Sequence, residues 1–209
     1  MLRSLNIKRN ALPELSLEEK LDGYEALLKK WQRSINLVSR NTIDDARFRH
    51  IDDSLQVVQY VPDSAKVLVD FGSGAGFPGL VIAMARPDVK VSLVESDQRK
   101  CTFLSTVSRE TSTPITVVNQ RIESAALDSI PDVLSARALA SLDKLLRFAL
   151  PYADQNPDLV MLFMKGERAD NEIEEAQENY SFEYEKIQSE TEASACILRI
   201  TNLSVNSES

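Results

Sequence analysis

A single histidine, His50, and two cysteines, Cys101 and Cys196, are all that this 209-residue chain holds of the side chains most used for nucleophilic and metal chemistry. One histidine argues against a histidine-based catalytic triad. The two cysteines lie far apart without metal-ligand spacing, so they read as buried or inert thiols of a reducing cytosol, and no metal is expected. Long apolar runs are missing as well: none approaches the ~20 residues that span a bilayer. The start, MLRSLNIKRNALPELS, lacks a continuous apolar stretch with a small-residue cleavage site, so no signal peptide is read there. A cytoplasmic protein without a membrane partner is the expectation. Nor does an excess of positive charge exist, since the net charge is −8. That argues at first against a nucleic-acid partner.

The distribution of charge weakens that objection. Residues 1–50 carry ten Lys/Arg against seven Asp/Glu, residues 51–166 eleven against fourteen, and residues 167–209 three against eleven. The acidity sits mainly in the tail, and an acidic chain can still bind RNA through a local patch. With 43% hydrophobic and 27% charged residues the composition is that of a globular protein. No repeat or low-complexity linker divides it. We expect one domain over 1–209, with a helical extension over 1–62 and a catalytic core over 63–209.

In SLEEKLDGYEALLKKWQRSINLVS, Leu17, Leu21, Tyr24, Leu27, Leu28, Trp31 and Ile35 recur at spacings of three and four, an amphipathic helix. Ser16 with Glu19 three residues on is a capping-box signature. A second helix is expected over Asp44–Tyr60. The texture then changes. KVLVDFG, VKVSLVES, ITVVNQ, PDVLSARA and DLVMLFMKG read as five strands separated by helical or turn-like sequence, the mark of βαβ units and a mostly parallel sheet. The apolar run Leu159–Met164 fits a strand buried on both faces. SFEYEKIQ and ACILRITNL add two strands with no helix between them, an antiparallel edge. Seven strands with helices on both faces make an α/β, Rossmann-like fold.

Four of the six glycines fall in DFGSGAGFPGL, Asp70–Leu80, directly after the first strand. Glycine-rich turns at that place let a ligand touch backbone without a Cβ clash. Gly74, Gly76 and Gly79 spell the dinucleotide fingerprint, whereas Asp70 with Gly72, Gly74 and Gly76 suggests a methyl-donor site. Glu95 ends the second strand where an acid would bond the ribose hydroxyls of either cofactor. Three features favour the methyl donor. Asp70 stands where a carboxylate would meet the cationic end of S-adenosylmethionine, or a water between them, and would repel a pyrophosphate. Ile122 and Glu123 fall, after the third strand, where an adenine face and edge would lie. The third is the seven-strand count with an antiparallel end. Arg137 and Lys165, after strands four and five, are expected on the ligand side of the sheet as positioning groups for donor or target phosphate, against ordinary surface ion pairs.

DFGSGAGFPGL, together with WQRSINLVS, RHIDDSL, SLVESDQRKCTFL, VVNQRIE, SARALASLDKLL and FMKG, resembles the bacterial small-subunit ribosomal RNA methyltransferase G family, also called glucose-inhibited division protein B. The resemblance runs in register from about Leu27 to Gly166. It implies a class I S-adenosylmethionine-dependent methyltransferase acting on nitrogen 7 of one guanosine in 16S rRNA, alone or within the 30S subunit, as a monomer. It implies donor contacts at Gly72, Phe77, Ile122, Glu123 and Arg137, with Glu95 on the ribose; Asp70, Gly74, Gly76 and Ser96 complete the expected donor set. Gln32 and Cys101 depart from the family pattern, where asparagine and a second basic residue are usual. Rival readings are a methyltransferase for a small molecule or protein, and a nucleotide-binding regulatory module without turnover.

Guanine nitrogen 7 carries an in-plane lone pair and no proton, so attack needs no general base and the enzyme supplies position and electrostatics. The cluster Arg47, Arg49 and His50 in ARFRHIDDS is a candidate for RNA phosphates, against a local bond from His50 to Asp53. Asn36 is a candidate for a base contact, against a cap on the first helix. Tyr24 and Trp31 fit the core stripe, and Glu172–Glu178 read as a solvated helix face.

Overall fold

The computed structural model describes residues 15–206; the signal-peptide reading of the N-terminal stretch falls largely outside them. Helix α1, Leu17–Trp31, starts where the sequence signals it. The Ser16 hydroxyl accepts the Glu19 N–H (3.3 Å) and the Glu19 carboxylate accepts the Ser16 N–H (2.8 Å), an arrangement that stabilises a helix by ~1 kcal/mol. Its inner face buries Leu21, Tyr24 and Leu28, and Trp31 packs edge-on against Phe103 at 5.7 Å. The chain leaves the helix through Gln32, whose amide donates to the Val38 carbonyl and accepts the Leu37 and Val38 N–H groups. The departure from the family's asparagine therefore sits at the hinge of this turn.

The second helix is shorter than expected and begins later, and Ala46 at its head makes no side-chain cap. A π-helical turn, Arg47–Asp52, leads into α2, Asp53–Val58.

The seven expected strands all form: β1 Val67–Phe71, β2 Lys90–Val94, β3 Thr116–Val118, β4 Val133–Arg137, β5 Val160–Lys165, β6 Tyr180–Gln188 and β7 Cys196–Val205. They lie in the order β3-β2-β1-β4-β5-β7-β6. The first five run parallel, and β7 is antiparallel to both β5 and β6. The crossovers contain α3 Gly79–Ala85, α4 Gln98–Glu110 and α5 Leu142–Ala153, and α6 Ala169–Gln177 joins β5 to β6.

The strand period of two sorts side chains into two cores. Val160, Leu162 and Met164 of β5 join the core under α1, α3 and α4. Met161 and Phe163 of the same strand join the core under α5 and α6. Every residue of β5 is buried, as a strand covered on both faces requires. Leu21, Tyr24 and Leu28 of α1 belong to the first core, so the helical extension packs as part of it.

Candidate functional site

The loops after β1, β2, β3 and β4 converge at the carboxyl edge of the sheet, where the strand order reverses between β1 and β4. That crevice is where open α/β sheets bind ligands. It holds a cavity of about 410 Å³. Gly72, Gly74 and Phe77 of the glycine loop line it, with Glu95 and Ser96 after β2, Ile122 and Glu123 after β3, and Arg137 at the end of β4. Eight of the ten residues expected around the donor thus come together. Of the two others, Asp70 is buried beneath the loop and Gly76, within it, packs against Tyr24, Leu80 and Leu104.

The loop is built from below. Gly74 takes φ +58°, and a Cβ there would meet only the Gly72 carbonyl, at 3.8 Å. The space above it belongs to the cavity. Gly79 has a different reason to be glycine, since a Cβ there would lie 2.6 Å from both Asp70 Cβ and Leu93 Cδ2. Ser73 donates its N–H to the Val94 carbonyl (3.1 Å) and its hydroxyl to the Asp70 carbonyl (3.0 Å). From the other side, the Tyr24 hydroxyl of α1 donates to the Ala75 carbonyl. The extension is thereby wired to the backbone that faces the cavity.

Asp70 occupies a different place from the one expected. The pleat of β1 turns its side chain into the protein, where it is fully buried. Its Oδ1 accepts the Ser135 hydroxyl at 2.6 Å across the β1–β4 pair. Its Oδ2 has no partner among the described residues. Burial pushes the carboxyl up to about 6, against the opposing pull of the Ser135 hydrogen bond and the Arg137 charge. Asp70 therefore braces the floor of the loop. Glu95 does face the cavity. Its Oε2 accepts the Gly74 N–H (2.9 Å) and its Oε1 the Asp97 N–H (2.7 Å), which leaves one lone pair on each oxygen for two adjacent hydroxyls.

Phe77 is the hub of an aromatic and cationic cluster. Tyr24 stacks on it at 5.2 Å and His50 at 5.3 Å, while the Arg137 guanidinium lies 4.6 Å from the ring centroid. Arg137 also pairs with Asp53 at 3.4 Å. The Thr42 hydroxyl donates to the Ser39 carbonyl (3.0 Å), so His50 Nε2 carries the hydrogen and donates to Thr42 Oγ1 (2.8 Å). Nδ1 keeps a buried lone pair with no partner among the described residues. Burial, helped by the charges of Arg137 and Arg49, lowers the imidazole to about 4.

This gives a pH signature with a definite sign. An imidazole held neutral in the fold contributes stability above its unfolded pKa near 6.5 that is lost as pH falls toward 4. Asp70 acts with the opposite sign over nearly the same window but is common to wild type and variant. Urea unfolding of His50→Gln at pH 7 and pH 4.5 should therefore show a smaller acid loss than wild type. An identical loss in both proteins would place the charge elsewhere.

The other expected RNA contacts are dispersed. Arg47 turns back to α1 and pairs with Glu18 (2.6 Å), Asp22 (3.0 Å) and Asp52 (3.0 Å). Arg49 pairs with Glu192 of the tail at 2.5 Å. Asn36 is exposed and makes no side-chain hydrogen bond among the described residues; Gln32 does the work of closing the helix. Lys165 is buried, donating to the Ala140 carbonyl (2.7 Å) and pairing with Glu172 at 2.6 Å. Glu172 is correspondingly not part of a solvated face, and its carboxylate also accepts the Leu142 N–H (2.7 Å).

Sequence reasoning passed over the segment after β4. Ala138 adopts φ +50°, a left-handed backbone costly for a non-glycine residue and concentrated at functional sites. Leu139 beside it fills the space that a side chain at Gly72 would need. Lys100, Arg121 and Lys144 ring the same cavity, so its rim is basic although the chain is acidic.

A seven-stranded sheet of this order, with a glycine loop after β1 and an acid after β2 around one cavity, defines a class I methyltransferase, whose donor is S-adenosylmethionine. Solved structures bear out the fold. Magnesium protoporphyrin IX methyltransferase from Synechocystis PCC 6803, with bound SAM, matches with a TM-score of 0.56 at 13% identity over 88% of this chain and 97% of that one. The N-methyltransferase NodS from Bradyrhizobium japonicum WM9, in complex with S-adenosyl-l-homocysteine, matches with a TM-score of 0.55 at 14% identity over 89% and 99%. The particular family follows from sequence: residues 17–199 match rRNA small subunit methyltransferase G, GidB, and the chain belongs to that family. Ribosomal RNA small subunit methyltransferase G of Parvibaculum lavamentivorans is 44% identical over 200 residues, 93% of this chain and 88% of that protein.

Proposed function

We propose that this protein transfers a methyl group from S-adenosylmethionine to nitrogen 7 of a guanosine in 16S rRNA. The observation that carries the reading is the family match over 17–199, laid onto a cavity of about 410 Å³ at the carboxyl edge of the sheet. Two features of that cavity suit the donor. The open space above Gly74 is a cradle that any side chain would fill, and Glu95 presents uncommitted carboxylate lone pairs at its edge.

S-adenosylmethionine supplies an electrophilic methyl group on a sulfonium. In this reading Glu95 accepts the ribose hydroxyls, Ile122 packs on the adenine face and Glu123 lies along its edge. The backbone of Gly72 and Gly74 approaches the remainder of the donor. Ser96 borders the ribose side, and Arg137 stands at the inner wall, against Phe77. Nitrogen 7 needs no base, and the residues agree: burial raises both the Cys101 and Cys196 thiols, His50 is occupied with Thr42 and Phe77, and Asp70 is sealed below the loop. Lys100, Arg121 and Lys144 at the rim supply the local positive surface for RNA.

Thermal unfolding in S-adenosylmethionine, and separately in NAD, tests the donor assignment. Stabilisation by S-adenosylmethionine is expected, growing with the logarithm of ligand concentration once the site saturates. Stabilisation by NAD alone would contradict it.

A further inference from the structure

A second cavity, of about 480 Å³, lies beside the donor cavity. The two share Leu37, Arg137, Ala138 and Ala140, so molecules bound in each would meet at that boundary. Part of its wall comes from the turn Arg47–Asp52, α2, and the connection between β6 and β7, and a further part from β5, β7, α5 and α6. That connection is tied down at Asp53, whose Oδ1 accepts the hydroxyls of Ser189 (3.2 Å) and Thr191 (2.6 Å). Gln56 holds it as well, accepting the Glu190 N–H at 3.0 Å.

The charges around this cavity are matched. Arg49 pairs with Glu192, Arg137 with Asp53 and Lys165 with Glu172, at 2.5, 3.4 and 2.6 Å. Unpaired cations would suit a phosphate. Three pairs set against Leu145, Met164 and Ile197 suit a neutral, flat group with hydrogen-bonding edges.

We propose that this cavity receives the acceptor base, a guanine swung out of its RNA strand, and that Glu172 and Lys165 read its N1, N2 and O6 edge. The proposal rests on the function proposed above and assigns the residues that choose the base. Glu172 Oε2 is fixed by the Leu142 N–H and by Lys165 Nζ, while Oε1 has no hydrogen-bond partner among the described residues. A carboxylate so held accepts from the adjacent N1–H and N2–H donors of guanine. Adenine places an acceptor at N1, which the carboxylate repels. Lys165 uses two of its three N–H groups on Ala140 and Glu172, and the third is free for O6. With that edge engaged, nitrogen 7 keeps its lone pair free for the donor at the shared boundary. Extrusion of the base makes this reach possible, as for other enzymes that do chemistry on a base.

The test uses saturation-transfer NMR on the full chain loaded with S-adenosylhomocysteine, with GMP and AMP as probes, beside methyl transfer to 30S subunits lacking the modification. GMP is expected to bind at least about tenfold better than AMP, and Glu172→Gln to erase that preference. Gly166→Phe gives a second reading, because Gly166 lines this cavity and nothing lies within 4 Å of a Cβ there. It should weaken GMP about tenfold or more by occupying the mouth, with S-adenosylhomocysteine affinity unchanged. Equal binding of GMP and AMP by wild type, or a wild-type GMP preference and transfer rate in Glu172→Gln, overturns the assignment. Loss of transfer to 30S subunits by wild type, with the Glu172-dependent GMP preference intact, supports the base site and contradicts the function proposed above.

Discussion

Gly74→Val is expected to weaken S-adenosylmethionine binding by about a hundredfold or more, ~2.7 kcal/mol, while the protein stays folded. The reasoning turns on where a side chain at 74 would go. Its Cβ meets only the Gly72 carbonyl, at 3.8 Å, so nothing in the protein resists it. The branched methyls instead enter the cavity that Gly74 lines. The left-handed backbone, φ +58°, adds strain of ~1–2 kcal/mol for an L-residue, which lowers stability without removing the fold. The Gly74 N–H keeps its bond to Glu95 because valine retains that donor. Gly79→Ala is the control of opposite character. Its methyl would lie 2.6 Å from Asp70 Cβ and from Leu93 Cδ2, both in packed β1 and β2, so unfolding rather than ligand loss is the expected outcome. Calorimetry with S-adenosylmethionine and a urea melt on both variants separate the two effects. Wild-type affinity in Gly74→Val would show that this loop does not hold the donor.

Arg137→Met is expected to lower the rate of methyl transfer by about a hundredfold or more, with a smaller change in donor affinity. Arg137 lines both cavities and is the charged group they share. Its guanidinium is held by Asp53 and by the Phe77 ring, and of its five N–H donors only one has a partner among the hydrogen bonds of the described residues. The rest remain for polar groups of the two bound molecules. Methionine keeps much of the packing against Phe77 and removes those donors. Asp53 Oδ1 retains hydrogen bonds from Gln56, Ser189 and Thr191 while Oδ2 loses its cation, so stability falls by ~1–3 kcal/mol. Single-turnover kinetics on 30S subunits, with donor affinity measured separately, check this. A variant with unchanged single-turnover rate would make Arg137 a structural residue only.

The seven strands were legible because each is a β-branched or aromatic run bounded by turn residues, and β5 shows in sequence the continuous apolar run that burial on both faces demands. The glycine loop is legible for the same kind of reason: glycines are informative where backbone must approach something. What escaped the sequence is pairing across distance. Asp53 gathers Arg137, Ser189 and Thr191 from positions 84 to 138 residues away, and no local pattern announces such a partner. Ala138 hides a left-handed backbone behind a residue that gives no sign of it. Glu172 looked solvated within an acidic run, yet it borders the stripe of Ala169, Ile173 and Ala176 that α6 buries and so turns toward Lys165. Asp70 lies where expected along the strand but faces the underside of the loop, because the pleat, not the distance from the glycines, decides which way a β1 side chain faces.

The central claim is most directly tested by incubating the protein with tritiated S-adenosylmethionine and 30S subunits that lack this modification, then mapping the labelled nucleotide. Label is expected in 16S rRNA, on nitrogen 7 of one guanosine. Label on an exocyclic nitrogen or on a ribosomal protein would contradict it.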